Sequence, residues 1–241
     1  MNESELKQEA FELRKKFGLT ENQAISFKDL FLNENILTYH TALDAEFSGM
    51  AIKAGKSKFI LVNSNHPVGR QHFTICHELF HLFIDKDFSS HRCQTALFNK
   101  KNKSEYDADI FASHFLLPES GLLSMIPKDE RPKNKINLST IVKIEQYYGC
   151  SRKALANRLF FLKKISIEYR DELCNNVKKS ARLNGYSVDL YTAGNEGILW
   201  GDYGLLAKTL FDNEKISEGH FASLMADIGI DIFENLEDNG D

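Results

Sequence analysis

The sequence of 241 residues contains no apolar run of the roughly 18 residues that a membrane-spanning helix needs. The densest apolar stretch, residues 79–84, is interrupted by His81. The beginning of the chain is polar and periodic, and it lacks the apolar segment and small-residue cleavage site of a signal peptide. We therefore expect a cytoplasmic protein with no membrane partner.

Cysteine and proline are both scarce, with four of each, and no two cysteines have the C-x-x-C spacing. Four thiols without regular spacing do not make the disulfide framework of a small secreted domain, so we expect reduced thiols in the core. Three of the four prolines, all between residues 118 and 132, mark one loop-rich connection. The cysteines are Cys76, Cys93, Cys150 and Cys174.

Apolar residues and charge are distributed in a way that excludes a disordered chain and indicates two regions. Hydrophobic residues make up 42% of the sequence, and phenylalanine alone occupies 18 positions. Residues 133–164 carry eight Lys and Arg against one acid, whereas residues 183–241 carry two Lys against twelve acids. Such blocks are typical of separate modules. We predict one domain over residues 1–165 and an acidic helical module over residues 166–241.

The spacing of apolar residues predicts an α+β fold with a small sheet beside a helical core. A first helix ends before Gly18, and a second begins at Ser26 with Asp29 completing a capping box. A later helix is expected to begin at Ser104, again with an acid, Asp107, three residues on. Strands are predicted at residues 36–40, 47–53 and 58–63, and the later helices at 68–84, 104–116, 139–148, 151–164 and beyond 166.

One motif indicates a catalytic metal site. It is His77-Glu78-Leu79-Phe80-His81, inside the helix predicted over residues 68–84. Two histidines at positions i and i+4 lie one above the other on a helix face, so both imidazoles can reach one zinc ion. Glu78 then lies beside the ion, where it can take a proton from a water activated by the metal. Two ordinary core histidines would not explain an acid in an apolar helix, because an unpaired buried carboxylate is costly.

A catalytic zinc needs a third protein ligand, and three residues are candidates. Asp87 has the spacing of an extended zinc motif, but Ile84 stands where that motif has the glycine that turns the chain back. His91 lies in a polar loop and is more typical of a solvated histidine. Glu105 is the strongest candidate, because it faces the apolar side of the following helix, although a first-turn acid also favours the helix dipole.

Asp109 lies one helical turn after Glu105 on the same side of that helix. A carboxylate there is placed to accept the free N–H of a histidine that binds zinc, and the alternative is a surface acid. His114 lies away from this side, so we expect it to serve in packing or at the surface. Tyr106, His66 and Tyr39 all remain candidates for stabilising a transition state, and their spacing does not choose between them.

Two segments of the sequence together match a pattern that is longer than the zinc motif alone. The first reads R-Q-H-F-T-I-C-H-E-L-F-H from Arg70, and the second reads E-Y-D-A-D-I-F-A-S-H-F-L-L-P from Glu105. They resemble the ImmA/IrrE family of zinc metallopeptidases, whose pattern is R-x-x-F-T-x-x-H-E-x-x-H followed by E-x-x-A-[ND]-x-F-A-x-x-L-x-x-P. The resemblance covers roughly residues 36–164. Two residues depart from the pattern: Phe80 stands where glycine is usual, and His114 stands where an acid is common.

This resemblance implies a zincin-like fold of the gluzincin type. It implies that His77, His81 and Glu105 bind Zn²⁺ and that Glu78 is the general base. It also implies a substrate class, helix-turn-helix transcriptional repressors or antitoxins, which such enzymes cut at a limited site.

The helix pair over residues 139–164 has the outline of a helix-turn-helix. A basic face on its second helix would suit phosphate groups of DNA. However, Glu145 stands where a small residue is usual, and Arg158 stands where an apolar residue is common. We favour a helical hairpin that completes the core, with DNA binding as the less favoured alternative. The basic residues of the second helix are Arg152, Lys153, Arg158, Lys163 and Lys164.

The sequence thus predicts a zinc-dependent endopeptidase that makes limited cuts in a cytoplasmic protein. The alternative is a DNA-binding or regulator-binding protein with a structural or vestigial zinc site. The acidic module is either a docked extension with a solvated face or a site that recruits a basic partner. Its apolar faces are expected at residues 205–210 and 221–228.

Overall fold

The computed structural model describes residues 1–86, 95, 98, 102–131 and 136–234. Three residues with predicted or considered roles lie outside these ranges: Asp87, His91 and Cys93. The roles considered for them therefore stay predictions.

Eleven α-helices and four β-strands occur in the described ranges, in agreement with the predicted α+β class. The helices are α1 (Glu3–Lys16), α2 (Phe27–Glu34), α3 (Val68–Phe83), α4 (Lys103–Leu116), α5 (Glu119–Met125), α6 (Leu138–Tyr148), α7 (Arg152–Phe161), α8 (Ile167–Leu173), α9 (Val177–Leu183), α10 (Tyr203–Asp212) and α11 (Glu218–Ala226). The strands are β1 (Ile36–Thr41), β2 (Gly49–Ala54), β3 (Ser57–Asn63) and β4 (Leu199–Trp200). A short 3-10 helix, Asp189–Tyr191, precedes β4.

The four strands form one sheet in the order β2-β3-β1-β4. β2 and β3 form an antiparallel hairpin around Gly55, whose φ of 60° lies in the region that favours glycine. β3 runs parallel to β1, and β4 pairs antiparallel with Thr38 and Tyr39 of β1. The sequence predicts the first three strands but not β4, because two residues are too few to show an alternating pattern.

Helix α3 is enclosed by the rest of the protein. Twelve of its sixteen residues are buried, and it packs against β2, β3 and α4. Its apolar side chains Phe73, Ile75, Leu79 and Leu82 belong to the main hydrophobic core. The polar groups of α3 therefore lie inside the protein, where each needs a partner.

The first two helices form where the periodicity predicts them. α1 ends at Lys16, shortly before Gly18, whose φ is 70°. α2 follows Ser26, but the predicted capping box does not form. The Ser26 hydroxyl donates to Asp29 Oδ2 (2.6 Å) and accepts no backbone N–H. The residue types predict the helix start correctly, whereas the nearby carboxylate competes for the hydroxyl.

Helix α4 also begins with a different cap from the one predicted. Asn102, and not Ser104, is the N-cap residue, and its side chain accepts from the N–H of Glu105. Asp107 takes no part in this cap, because its Oδ2 accepts from the amino group of Met1 (2.8 Å). The helix is one residue longer than predicted at this end, and Glu105 keeps its place in the first turn.

Helices α6 and α7 form the predicted pair, joined through Gly149 with a φ of 63°. A buried ion pair links the two helices. Arg152 Nε donates to Glu145 Oε2 (2.5 Å), and Nη2 donates to Oε1 (2.6 Å). Tyr191 Oη donates to the same Oε1 (2.5 Å). The acid that departs from a helix-turn-helix pattern at position 145 is thus the counter-ion of a buried arginine.

The prediction of a basic face on α7 is wrong for two arginines. Arg152 and Arg158 are only 2% and 3% exposed, so neither can present its charge at the surface. The positions of the buried side chains fit the favoured alternative, a hairpin that completes the core. The buried residues of α7 are Arg152, Leu155, Ala156, Arg158 and Leu159.

The segment after residue 165 forms helices α8–α11, as the sequence predicts, and Ser217 caps α11. α8 packs against α7, α9 packs against α6, and β4 extends the sheet. The apolar face predicted on α10 is exposed, since Leu205, Leu206 and Leu210 are 66%, 46% and 44% accessible. The division of the chain at residue 165 stays a prediction.

Two cysteines occupy the core, as predicted, and one does not. Cys76 and Cys150 are buried free thiols. Cys174 is exposed, because it follows the end of α8 at the surface. Among the described residues, no helix is long and apolar enough to cross a membrane.

The ion pair between α6 and α7 leads to a stability prediction. We expect Arg152→Leu to lower the free energy of unfolding by about 3–5 kcal/mol, because the carboxylate of Glu145 would stay buried without its counter-ion. Chemical denaturation followed by circular dichroism measures the change. Lys153→Leu is the matched control, since Lys153 is exposed on the same helix and its loss should cost less than about 0.5 kcal/mol. Equal losses in the two variants would contradict the assigned role of the pair.

Candidate metal centre

Three predicted residues come together where α3 meets α4. His77 and His81 lie one turn apart on α3, and Glu105 lies in the first turn of α4. The two Nε2 atoms are 3.3 Å apart. Glu105 Oε2 lies 3.3 Å from His77 Nε2, and Glu105 Oε1 lies 3.2 Å from His81 Nε2. Among the described residues these three side chains form a group able to hold a metal ion.

The distances between these ligand atoms fit one tetrahedral ion. Zinc binds imidazole nitrogen and carboxylate oxygen at about 2.0–2.2 Å, so neighbouring ligand atoms of a tetrahedral site lie about 3.3–3.5 Å apart. The two Nε2 atoms are 3.3 Å apart, and each lies 3.2–3.3 Å from a different oxygen of the Glu105 carboxylate. Two histidines and one glutamate are also a known ligand set of catalytic zinc, which leaves a fourth position open.

Asp109 orients the first histidine. His77 Nδ1 donates to Asp109 Oδ1 (3.0 Å), and the second carboxylate oxygen, Oδ2, accepts from the backbone N–H of Phe98 (2.8 Å). Because a carboxylate accepts only, the Nδ1 atom of His77 carries the proton and Nε2 faces the other ligand atoms. The structure thus places Asp109 inside, 1% exposed, and not at the surface.

Asp85 has the same relation to the second histidine, and sequence reasoning missed it. His81 Nδ1 donates to Asp85 Oδ2 (3.1 Å), which also accepts from Ser104 Oγ (2.8 Å). Asp85 lies four residues after His81, the same spacing that relates the two histidines of the motif. An acid at i+4 from a ligating histidine was therefore the available signal.

Hydrogen bonds and nearby charges strongly raise the pKa of His77. Burial lowers the pKa of this imidazole, but the hydrogen bonds to Asp109 and Glu105 and the charge of Glu78 outweigh it and raise the pKa to about 10. Without a metal, His77 is therefore protonated at neutral pH. A metal ion that binds Nε2 has to displace this proton.

The carboxyl group of Glu78 lies against the backbone of β2. Glu78 is fully buried, and a Cβ atom added to Gly49 would lie 3.4 Å from Glu78 Oε1. The same atom would lie 2.6 Å from Thr74 Cγ2 and 2.8 Å from Leu61 O, which no real side chain tolerates. Gly49 therefore permits close contact between β2 and α3. Glycine inside a strand was the sequence signal for this approach.

The two residues that depart from the family pattern, Phe80 and His114, lie in the interior. Phe80, where the family pattern has glycine, packs against Phe111 with ring centroids 5.6 Å apart and meets His81 edge-on at 5.5 Å. His114 is buried, as one of its two predicted roles requires, and Nδ1 accepts from Arg158 Nη2 (2.9 Å). His66 Nε2 donates to the carbonyl of Ala45 (3.0 Å), and its candidate role in stabilising a transition state stays a prediction.

The contact at Gly49 can be tested by substitution. We expect Gly49→Ala to lower the free energy of unfolding by about 1–3 kcal/mol, because β2 and α3 must move apart. Thermal and chemical denaturation measure the change. Gly219→Ala is the control: no atom lies within 4 Å of the added Cβ, so alanine in α11 should stabilise or leave stability unchanged. If both variants keep the parent stability, the packing argument at Gly49 fails.

The comparison with family models identifies the family of the chain. The sequence model of the M78 peptidase family, described as the IrrE N-terminal-like domain, matches residues 28–160. The match covers more than half of the chain and includes His77, His81 and Glu105. A comparison with curated proteins found no match. The chain therefore belongs to the ImmA/IrrE family of metallopeptidases.

Proposed function

We propose that this protein is a zinc-dependent endopeptidase that makes limited cuts in a cytoplasmic protein. The observation that carries the proposal is that the ligand atoms of His77, His81 and Glu105 lie within 4.8 Å of one another, with each Nε2 atom 3.2–3.3 Å from an oxygen of Glu105. These residues would hold the ion. Two imidazoles with one carboxylate favour zinc over magnesium or calcium, which prefer oxygen ligands alone.

Each residue of the centre then has a distinct task. Zinc, when bound, supplies a Lewis acid that lowers the pKa of a water molecule and polarises the scissile carbonyl. The carboxylate of Glu78 takes a proton from the attacking water and delivers it to the leaving amine. Asp109 and Asp85 accept the Nδ1–H groups of the two histidines, so that both Nε2 atoms face the position where the ion would bind, and binding displaces the Nε2 proton of His77.

The proposed substrate is a helix-turn-helix repressor or antitoxin. The resemblance to the ImmA/IrrE family supports this class, as does the charge of the C-terminal segment. Residues 183–241 carry twelve acids against two lysines, and a DNA-binding protein presents a basic surface. Attraction between the two would favour encounter with such a substrate over an acidic protein.

Direct DNA binding has less support. Two of the five basic residues on which that alternative rested, Arg152 and Arg158, are buried. A structural zinc site is the other alternative, and it assigns no chemical task to Glu78. The variants below separate that alternative from a peptidase.

Zinc content tests the ligand set. We expect one zinc per chain by elemental analysis of the purified protein, and loss of that zinc in His77→Ala, His81→Ala and Glu105→Ala. Asp109→Ala should weaken zinc binding by about 10- to 100-fold. His220→Ala is the control, because His220 is exposed on α11 and should keep full occupancy. Parent-like affinity in Glu105→Ala would show that the third ligand is a different residue.

Cleavage assays test the role of Glu78. The protein encoded beside this gene, if it contains a helix-turn-helix, serves as the first substrate, and casein serves as the unrelated one. We expect one or few cuts in the former and negligible hydrolysis of casein. Glu78→Gln should keep its zinc and slow cleavage by at least about 100-fold.

The possible failures of this assay have different meanings. Undiminished cleavage by Glu78→Gln would eliminate Glu78 as the general base. Rapid degradation of casein at full zinc occupancy would instead contradict the proposed substrate class and leave the metal chemistry intact.

A further inference from the structure

A cavity lies outside the metal centre, where α3, α4 and the beginning of α7 contribute residues to one wall. Its volume is about 290 Å³, which is close to the lower end for small-molecule sites. Among the described residues that line it, two are cations, Arg70 and Lys153, and none is an acid. The lining therefore carries a net positive charge, which favours an anionic ligand.

Arg70, in the first turn of α3, has hydrogen-bonding capacity left over. Its Nη2 donates to Ser48 Oγ (3.1 Å). Nε is buried without a partner, whereas Nη1 has no partner among the described residues and is accessible. No carboxylate in the described part of the chain lies within 4.0 Å of this guanidinium, and burial lowers its pKa. An anion that reaches Nη1 would offset the cost of that burial.

Helix α7 supplies two further donors. Lys153 is exposed and forms no ion pair within 4.0 Å among the described residues. The amide of Asn157 is half-buried, and it has no hydrogen-bond partner within the ranges that the structure describes. Because residues four apart lie on the same face of a helix, both side chains can contact one ligand. The N-terminal end of α7 adds partial positive charge to this wall.

The neighbouring segments do not neutralise these cations. Phe98 lines the cavity, and residues 88–104 around it contain four Lys or Arg and no Asp or Glu. Asp109 accepts from the backbone N–H of Phe98, but it is 1% exposed and its other oxygen accepts from His77. This carboxylate therefore faces the metal centre and is not available to the cavity.

The number of donors favours a phosphate group over a carboxylate. Arg70 Nη1, Lys153 Nζ and Asn157 Nδ2 are three separate donors. A phosphate monoester has three terminal oxygens and a charge of about −1.5 to −2 at pH 7, whereas a carboxylate has two oxygens and a single charge. Pro67 and Phe98 are half-buried and add apolar surface to the lining. This surface favours an organic phosphate over inorganic phosphate.

We propose that this cavity binds a small phosphate monoester with an apolar body. The phosphate oxygens accept from Arg70, Lys153 and Asn157, and the apolar body lies against Pro67 and Phe98. The site is distinct from the metal centre, since none of the three residues proposed to bind zinc lines it.

Phenyl phosphate is the probe, and phenol is the same apolar body without the phosphate. Isothermal titration calorimetry with the full chain should show one phenyl phosphate per chain and at least about tenfold weaker binding of phenol. Inorganic phosphate should bind more weakly than the probe, because it leaves the apolar surface uncovered.

Variants test whether the ligand occupies this cavity. Lys153→Glu replaces a cation of the lining with an anion and should weaken phenyl phosphate by at least about tenfold. Lys143→Glu makes the same change at an exposed position of α6 outside the lining and should keep the parent affinity. Arg70→Gln should also weaken binding by at least about tenfold. Circular dichroism shows whether Arg70→Gln folds, and the comparison of the two exposed lysines stands without it.

Several results would overturn the proposal. Equal affinity for phenol would reduce the site to an apolar cavity, and tighter binding of inorganic phosphate would remove any role for the apolar body. Parent-like affinity in Lys153→Glu would place the ligand elsewhere, the metal centre included. Tighter binding of a phosphotyrosine peptide than of phenyl phosphate would assign the site to a phosphorylated protein. No peptide is cleaved in this experiment, so its failure leaves the proposed function unaffected.

Discussion

The enclosure of α3 is the constraint on which most of the structure depends. This helix carries two histidines and a glutamate into the interior, where polar groups without partners cost several kcal/mol each. Packing against α4 supplies the partners: Glu105 faces both imidazoles, and Asp109 accepts from His77. The same burial that makes these groups costly also holds them rigidly, as a metal centre requires. The stability of the fold and the geometry of the site therefore depend on the same helix contact.

The buried arginines elsewhere in the protein have two different kinds of partner. Between α6 and α7, Arg152 has a bidentate carboxylate partner, so that this ion pair is complete within the chain. Arg14 and Arg158 instead have carbonyl and imidazole partners, which satisfy hydrogen bonds but do not neutralise charge. The first arrangement joins two helices, and the second links α1 and α7 to α4 and to the residue that follows it.

Membership in the ImmA/IrrE family and the geometry of the centre are two different observations that both support a metallopeptidase. The family match rests on sequence over residues 28–160, whereas the separations among His77, His81 and Glu105 follow from how α3 and α4 pack. The C-terminal helices lie largely outside the matched range, and α10 presents exposed leucines among acids. Features particular to this protein are therefore most evident there and at His114.

Local patterns in the sequence determined much of the fold and the centre of the site. The i, i+4 histidines, the first three strands and the helical segments follow from periodicity and spacing, which act over a few residues. Tertiary structure decided that Glu105 meets both histidines, that Asp85 and Gly49 belong to the site, and that β4 joins the sheet. It also decided that Arg152 and Arg158 point inward, against the predicted basic face. These outcomes depend on contacts between distant segments, because a charged side chain shows in sequence only its type, whereas packing determines whether it meets solvent, a counter-ion or a metal.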